Sequence, residues 1–215
     1  MDLNLQFPAG WNQAKQNKYA QGFTSPAPRD FVGFGPLTEP ESLALYNFAL
    51  IHNFELSIAY HTQGKEIYWQ FQNYAPKIAE EIGKIFASTS GYTLTQPLFN
   101  SSFEGFKDWF LQKYRKPGYT IEAGLGTNPL PINQLNKIYR DNLGIVICYL
   151  IINCIICAIP NASNGNTTIV PNHFLANVFL EIYGFKSSVP SICQVFVCPT
   201  QYQSINNLSN KFIIV

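Results

Sequence analysis

Tyr119-Thr120-Ile121-Glu122-Ala123-Gly124-Leu125-Gly126-Thr127-Asn128-Pro129-Leu130-Pro131 decides how this chain is read. Three apolar or β-branched residues lead to a single carboxylate, and a Gly-rich turn follows at once. A strand is therefore expected over Tyr119 to Ala123, with Glu122 at its end, facing whatever cleft lies beyond. Some sixty residues earlier, Ile58-Ala59-Tyr60-His61-Thr62-Gln63-Gly64 has the same form: an apolar strand, one imidazole, then a Gly turn. A His and a Glu on neighbouring strand ends suit metal-assisted hydrolysis, in which one holds the metal and the other moves the proton.

Outward from these two segments the chain alternates helices with apolar strands. Residues 8–37 are rich in Pro, Gly and Asn and read as a surface loop. Thr38-Glu39-Pro40-Glu41 reads as a capping box with Pro in the first helical turn, opening a helix to about Ile51. Phe54 to Tyr60 is mostly apolar, as in a strand buried on both faces. Glu66-Ile67-Tyr68-Trp69 reads as a second short strand. Pro76 opens a helix whose inner face is Ile78, Ile82, Ile85 and Phe86. Phe103 to Lys113 reads as a short helix carrying Trp109. From Pro131 a long helix is expected, with Ile132, Leu135 and Ile138 facing inward. Such alternation predicts an α/β layered fold.

The chain has 215 residues, 47% of them hydrophobic, which suffices for one domain and its core. A net charge of +1 without a Lys/Arg cluster argues against a nucleic-acid partner. No basic segment followed by an apolar one opens the chain, so the expected location is cytoplasmic. All of the cysteines, Cys148, Cys154, Cys157, Cys193 and Cys198, lie late in the chain, and their number is odd. Cys154 and Cys157 form a Cys-x-x-Cys inside an Ile-rich run. A buried apolar pair is the plain reading there, and a metal or redox site the alternative.

Composition breaks near residue 142. Beyond Asp141 only Glu181, Lys186 and Lys211 carry charge. The uncharged run from Leu143 to Ile159 reads as the last core helix of the domain. The alternatives are a membrane segment, for which about 17 residues is the lower limit, and translated sequence never selected for a fold. Asn161, Asn166 and Asn207 each open a glycosylation-acceptor pattern, of a kind that arises by chance in an Asn-rich tail.

His61-Thr62-Gln63-Gly64, Thr120-Ile121-Glu122-Ala123-Gly124 and Asn128-Pro129-Leu130-Pro131 together form a specific combination. With Asp2-Leu3-Asn4, Pro36-Leu37-Thr38-Glu39-Pro40-Glu41 and Gly105-Phe106-Lys107-Asp108-Trp109-Phe110, it resembles the zinc carboxypeptidase family. The closer likeness is to the bacterial γ-D-glutamyl-L-diamino acid endopeptidases, which cut peptidoglycan-derived peptides. It covers about Asp2 to Leu150. It implies a mixed sheet with flanking helices, truncated at its N-terminal side, because the family's first-half motifs precede Asn4. The expected organisation is residues 1–155 as the C-terminal part of that catalytic domain and 156–215 as an unrecognised low-charge tail, frameshifted or read through.

The resemblance implies Zn2+ as cofactor, His61 as its third protein ligand and Glu122 as general base. Read alone, His61 is a strand-end histidine with a satisfied hydrogen bond and Glu122 a salt-bridged or helix-capping acid. The other two ligands come in this family from a His-x-x-Glu placed well before the Asn motif, so one of three expected ligands is present. His52-Asn53-Phe54-Glu55 has the literal pattern in the wrong place, and His173 lies in the tail. By the resemblance, Asn4, Phe106 and Lys107 are the residues expected to contact the substrate. Family carboxypeptidases have at the position of Leu5 an Arg that grips a terminal carboxylate, and its loss suits an endopeptidase over an ordinary C-terminal exopeptidase; Phe106 lacks the hydroxyl of a substrate-contacting Tyr, so one donor to the peptide is gone. Lys107, read alone, is a solvated cation. The expected partner is a peptide carrying a diamino acid, with a separately encoded N-terminal half as a second. The expected activity is zinc-dependent peptide hydrolysis, this chain alone being inactive. The alternatives are a catalytically inactive gene fragment, a non-catalytic binder of cell-wall peptide, or a protein tethered to a membrane through 143–159.

Overall fold

The computed structural model describes residues 1–52, 54–99, 103–158 and 212–215, with the backbone alone for 149–158 and 212. A mixed sheet organises it. Its strands are β1 (Leu56–His61), β2 (Glu66–Tyr68), β3 (Thr93–Thr95), β4 (Gly118–Glu122) and β5 (Phe212–Ile214), in spatial order β3-β2-β4-β1-β5. β4 runs parallel to β1 and antiparallel to β2, and β5 runs parallel to β1. The helices are α1 (Trp11–Ala20), α2 (Pro40–Ile51), α3 (Lys77–Ser90), α4 (Phe106–Tyr114) and α5 (Leu135–Ala158). The layered α/β fold with a mixed sheet stands as expected.

Period-two alternation divides the strands between two cores. Leu56, Ile58, Ile67, Tyr119 and Ile121 point to one face and pack with Ile82, Phe86, Ile145 and Cys148 of α3 and α5. The opposite face carries α4, whose Trp109, Phe110 and Leu111 join Phe7, Phe54, Phe71 and Phe103 in an aromatic layer. A Cβ at Gly118 would lie 3.0 Å from Ser57 Oγ and 3.4 Å from Leu111 Cγ, so glycine lets α4 press onto the root of β4. α4 stops short of the strand's end. Thr120 and Glu122 on β4, Glu66 and Tyr68 on β2 and His61 on β1 remain half-buried on that face.

Several expectations change. Residues 8–37 contain α1, a ten-residue helix, rather than only loop; its face is polar apart from Ala14, so it carries little hydrophobic periodicity. Thr38 caps nothing: Glu39 precedes α2 without a side-chain cap, and the Thr38 hydroxyl is taken by Gln6 Oε1 at 3.0 Å. β3 lies between α3 and α4, too short to show an alternating pattern. On α3, Ile82 and Phe86 are buried but Ile78 is 38% exposed. On the last helix, Ile138 packs inward while Ile132 and Leu135 are 82% and 57% exposed. The buried seam of α5 runs instead through Ile138, Asn142, Ile145 and Cys148.

α5 is thus a core helix against α3 as far as Cys148, and no helix among the described residues is long and apolar enough to cross a membrane. Only the backbone is described at Cys154 and Cys157. His173, Cys193, Cys198, the three acceptor patterns and most of 156–215 lie outside the described residues.

Candidate active site

His61 and Glu122 are direct register partners at the ends of the parallel strands β1 and β4. Parallel partners sit about 4.8 Å apart and share a face, so the two side chains leave the sheet side by side. Beyond them the two turns are sewn together. Ala123 N donates to His61 O at 2.8 Å, Gly64 N to Gly124 O at 2.9 Å, and Gly126 N to Gln63 Oε1 at 3.2 Å. Asn128 Nδ2 donates to Thr62 O at 3.1 Å. From behind, Tyr92 Oη accepts from Gly124 N at 3.4 Å and from Asn142 Nδ2 of α5 at 3.0 Å. The His-Thr-Gln-Gly and Glu-Ala-Gly segments therefore form one double turn that fixes where both functional groups start.

Burial sets their chemistry. It holds the His61 imidazole below its usual value, opposed by the nearby Asp2 carboxylate, so the neutral, lone-pair-bearing form is favoured. Burial, with Glu66 adding to it, pushes the Glu122 carboxyl up to about 7. A carboxyl poised there can take a proton from water and return it to a leaving amine near neutral pH. Glu66 is the antiparallel register partner of Glu122, across the strand from His61, and accepts a hydrogen bond from the Tyr68 hydroxyl.

The other expected residues gather at the first turn of α4. Asn4 Oδ1 accepts from Phe106 N at 3.1 Å, so its amide is used in holding the α4 N-terminus beside the segment that carries Asp2. The Phe106 ring is 2% exposed and packs edge-on against Phe7 at 5.3 Å. Lys107 is not the solvated cation expected from its type. It is 4% exposed, donates to Gln70 O at 2.7 Å and pairs with Asp108. His52 and Glu55 stand apart from His61. The His52 ring packs against Phe48 and Phe54, and Glu55 pairs with Lys116 at 3.1 Å. Glu66 and Asp2 escaped the sequence reading. The signal for Glu66 was weak: a lone acid in a short strand, meaningful only once that strand is placed antiparallel to β4.

Zinc fits these residues only in part. His61 is a half-buried imidazole at a strand end, but among the described residues no group of three His, Cys, Asp or Glu comes together to hold a metal.

A mixed sheet with helices on both faces and a His/Glu pair at adjoining strand ends is the frame of a metallopeptidase. The family model of the zinc carboxypeptidases matches residues 1–144, and the chain belongs to that family. It is 43% identical over 150 residues to γ-D-glutamyl-L-diamino acid endopeptidase 1 of Lysinibacillus sphaericus, covering 70% of this chain and 36% of that protein. It is 42% identical over 146 residues to the uncharacterized protein YqgT of Bacillus subtilis (strain 168), covering 68% of this chain and 38% of that one. The chain thus spans little more than a third of the curated relatives it matches. Its fold is similar to bovine thrombin-activatable fibrinolysis inhibitor, solved with tick carboxypeptidase inhibitor, at a TM-score of 0.50 and 19% identity. That likeness covers 67% of this chain and 53% of the other.

Proposed function

We propose that this chain carries the proton-handling half of a zinc peptidase site that hydrolyses γ-D-glutamyl-diamino acid bonds in peptidoglycan-derived peptides. The observation that carries the reading is the register pairing of His61 with Glu122 at the open ends of β1 and β4. Glu122 accepts the proton of the attacking water and delivers it to the leaving amine. His61 supplies one zinc ligand, and the other two come from a segment outside this chain. Zinc, when bound, would polarise the scissile carbonyl. The diamino-acid substrate is taken from the Lysinibacillus relative, whose name states it. Lys107 and Asn4 act on the substrate through the α4 turn they hold in place, while the Phe106 ring forms the wall behind it.

A second reading is a chain that binds cell-wall peptide or is inert and catalyses nothing.

The test combines zinc analysis after dialysis against a weak chelator with hydrolysis of a γ-D-glutamyl-L-diamino acid dipeptide. Each is run with and without a polypeptide carrying the family's N-terminal half. Zinc and hydrolysis that appear only on mixing are expected. Stoichiometric zinc in the chain alone would mean a local site; zinc on mixing without hydrolysis would favour the binder.

A further inference from the structure

Glu66 is an acid that the catalytic reading does not use. Its strand partner is Glu122, so the two side chains rise from the same face of neighbouring strands. Gly64 lies beneath both. A Cβ built there would be 3.5 Å from Glu66 Oε2 and 3.7 Å from Glu122 Cβ. Tyr68, two residues along the same strand face, donates its hydroxyl to Glu66 Oε2 and fixes the direction of the carboxylate. The other oxygen, Glu66 Oε1, receives no side-chain donor among the described residues.

Two carboxylates opposite one another across a sheet repel, and a protein ordinarily answers such a pair with a cation. Here none answers. None of the ion pairs among the described residues involves Glu66 or Glu122. Lys65, the neighbouring cation, is turned to Asp141 at 3.5 Å, and Lys107 to Asp108. Glu122 has its own task in proton transfer. Glu66 is left as an oriented, half-buried carboxyl group beside the reacting groups.

We propose that Glu66 is a specificity-determining residue of this cleft, its carboxylate receiving the side-chain ammonium of the substrate's diamino acid. The inference rests on the reading of the cleft as a γ-D-glutamyl-diamino acid site and adds the residue that recognises the second amine. A partly desolvated carboxylate, held by a phenol, prefers a charged donor to a methyl group because charge-assisted hydrogen bonds are the stronger kind.

The experiment is equilibrium binding of two peptides to the full chain, γ-D-glutamyl-L-lysine and γ-D-glutamyl-L-norleucine. They differ only in the ammonium, which norleucine lacks: its chain ends in a methyl where lysine's last methylene carries the charge. The lysine peptide should bind about tenfold tighter, and that preference should shrink as salt is raised. In Glu66→Gln, shown folded by circular dichroism, the preference should fall to about twofold or less, with norleucine-peptide affinity unchanged. Glu66→Asp should keep part of it. Equal binding of both peptides by the unaltered chain, a test that needs no variant, overturns the role of Glu66 and leaves the cleft reading intact. So does an undiminished preference in Glu66→Gln. Failure of both peptides to bind, with and without the polypeptide carrying the family's N-terminal half, overturns the cleft reading itself, and the role of Glu66 with it.

Discussion

At Glu104 a carboxyl is 0% exposed, with neither oxygen hydrogen-bonded among the described residues, on a backbone at φ 73°. Each condition is costly: the left-handed region crowds any Cβ, and a buried acid without a donor forfeits its hydration. The carboxyl responds by staying protonated, pushed by burial from 4.5 to about 9, with Lys18 opposing the shift. Between pH 4.5 and about 9 the unfolded chain releases this proton while the folded chain keeps it. Stability therefore falls as pH rises through that window. Glu104→Gly should raise stability by about 1–3 kcal/mol, and flatten the decline in melting temperature between pH 5 and 9. An unchanged slope would show the carboxyl to be satisfied. Glu122 works in the same direction over 4.5 to about 7, while His61, held low by burial, loses stability as pH falls below 6.5. In the reconstituted complex Glu122→Gln should cut hydrolysis by about 10²–10⁴-fold, with zinc content unchanged. His61→Ala should lower zinc content itself. Full activity in the first variant, or full zinc in the second, would refute the roles assigned. The motifs around His61 and Glu122 were legible because each is a short contiguous string. The state of Glu104 was not, since Glu in a Gly-adjacent turn gives no hint of its φ or its lost partners.

At the scale of elements, α3 and α5 form the most extensive helix–helix contact among the described residues, and Gly144 lies in it. A Cβ on Gly144 would fall 2.1 Å from Thr89 Cγ2, far inside contact distance. Thr89 has little room to turn, because its hydroxyl donates to Ile85 O at 2.7 Å. Gly144→Ala should therefore destabilise by about 1–3 kcal/mol despite the better helix propensity of alanine. Adding Thr89→Ser removes the clashing methyl, keeps the hydroxyl, and should restore most of the loss. A double variant no more stable than the single one, measured by urea denaturation, would place the strain elsewhere. This seam also explains where sequence patterning misled. Ile132 and Leu135 have the right spacing for an inner face, but they precede the point where α5 meets α3. Ile138 is the first residue the seam reaches. Similarly α1, with Ala14 as its only buried residue, offers no apolar stripe to read, and β3 has only three residues.

At the scale of the molecule, one sheet carries two cores. The Phe86 layer under α3 and α5 and the Phe110 layer under α4 share no side chain; the first is built on side chains of β1, β2 and β4, and α4 seats the second on the opposite face of β1 and β4. The alternation of inward residues along these strands was visible in the sequence. Their spatial order was not, because β5 joins β1 from residues 212–214, a pairing that no local pattern encodes. Sharing the strands means that neither layer can be lost alone. A sheet stripped of α3 and α5 would expose Ile58, Ile67 and Ile121, all 0% exposed in the folded chain. The two layers should therefore unfold in one transition. Phe86→Ala and Phe110→Ala, each removing a fully buried ring on opposite faces, should each cost about 3–5 kcal/mol. Trp109 lies in the α4 layer at 3% exposure, whereas Trp69 packs against the other layer, so with Trp11 and Trp69 replaced by Phe the fluorescence reports the α4 layer. Phe86→Ala, on the far side of the sheet, should move the fluorescence midpoint and the circular dichroism midpoint together and by the same amount. If the fluorescence transition stayed in place while the dichroism shifted, the layers would be independent, and the sheet would not couple the α5 seam to the face that holds His61 and Glu122.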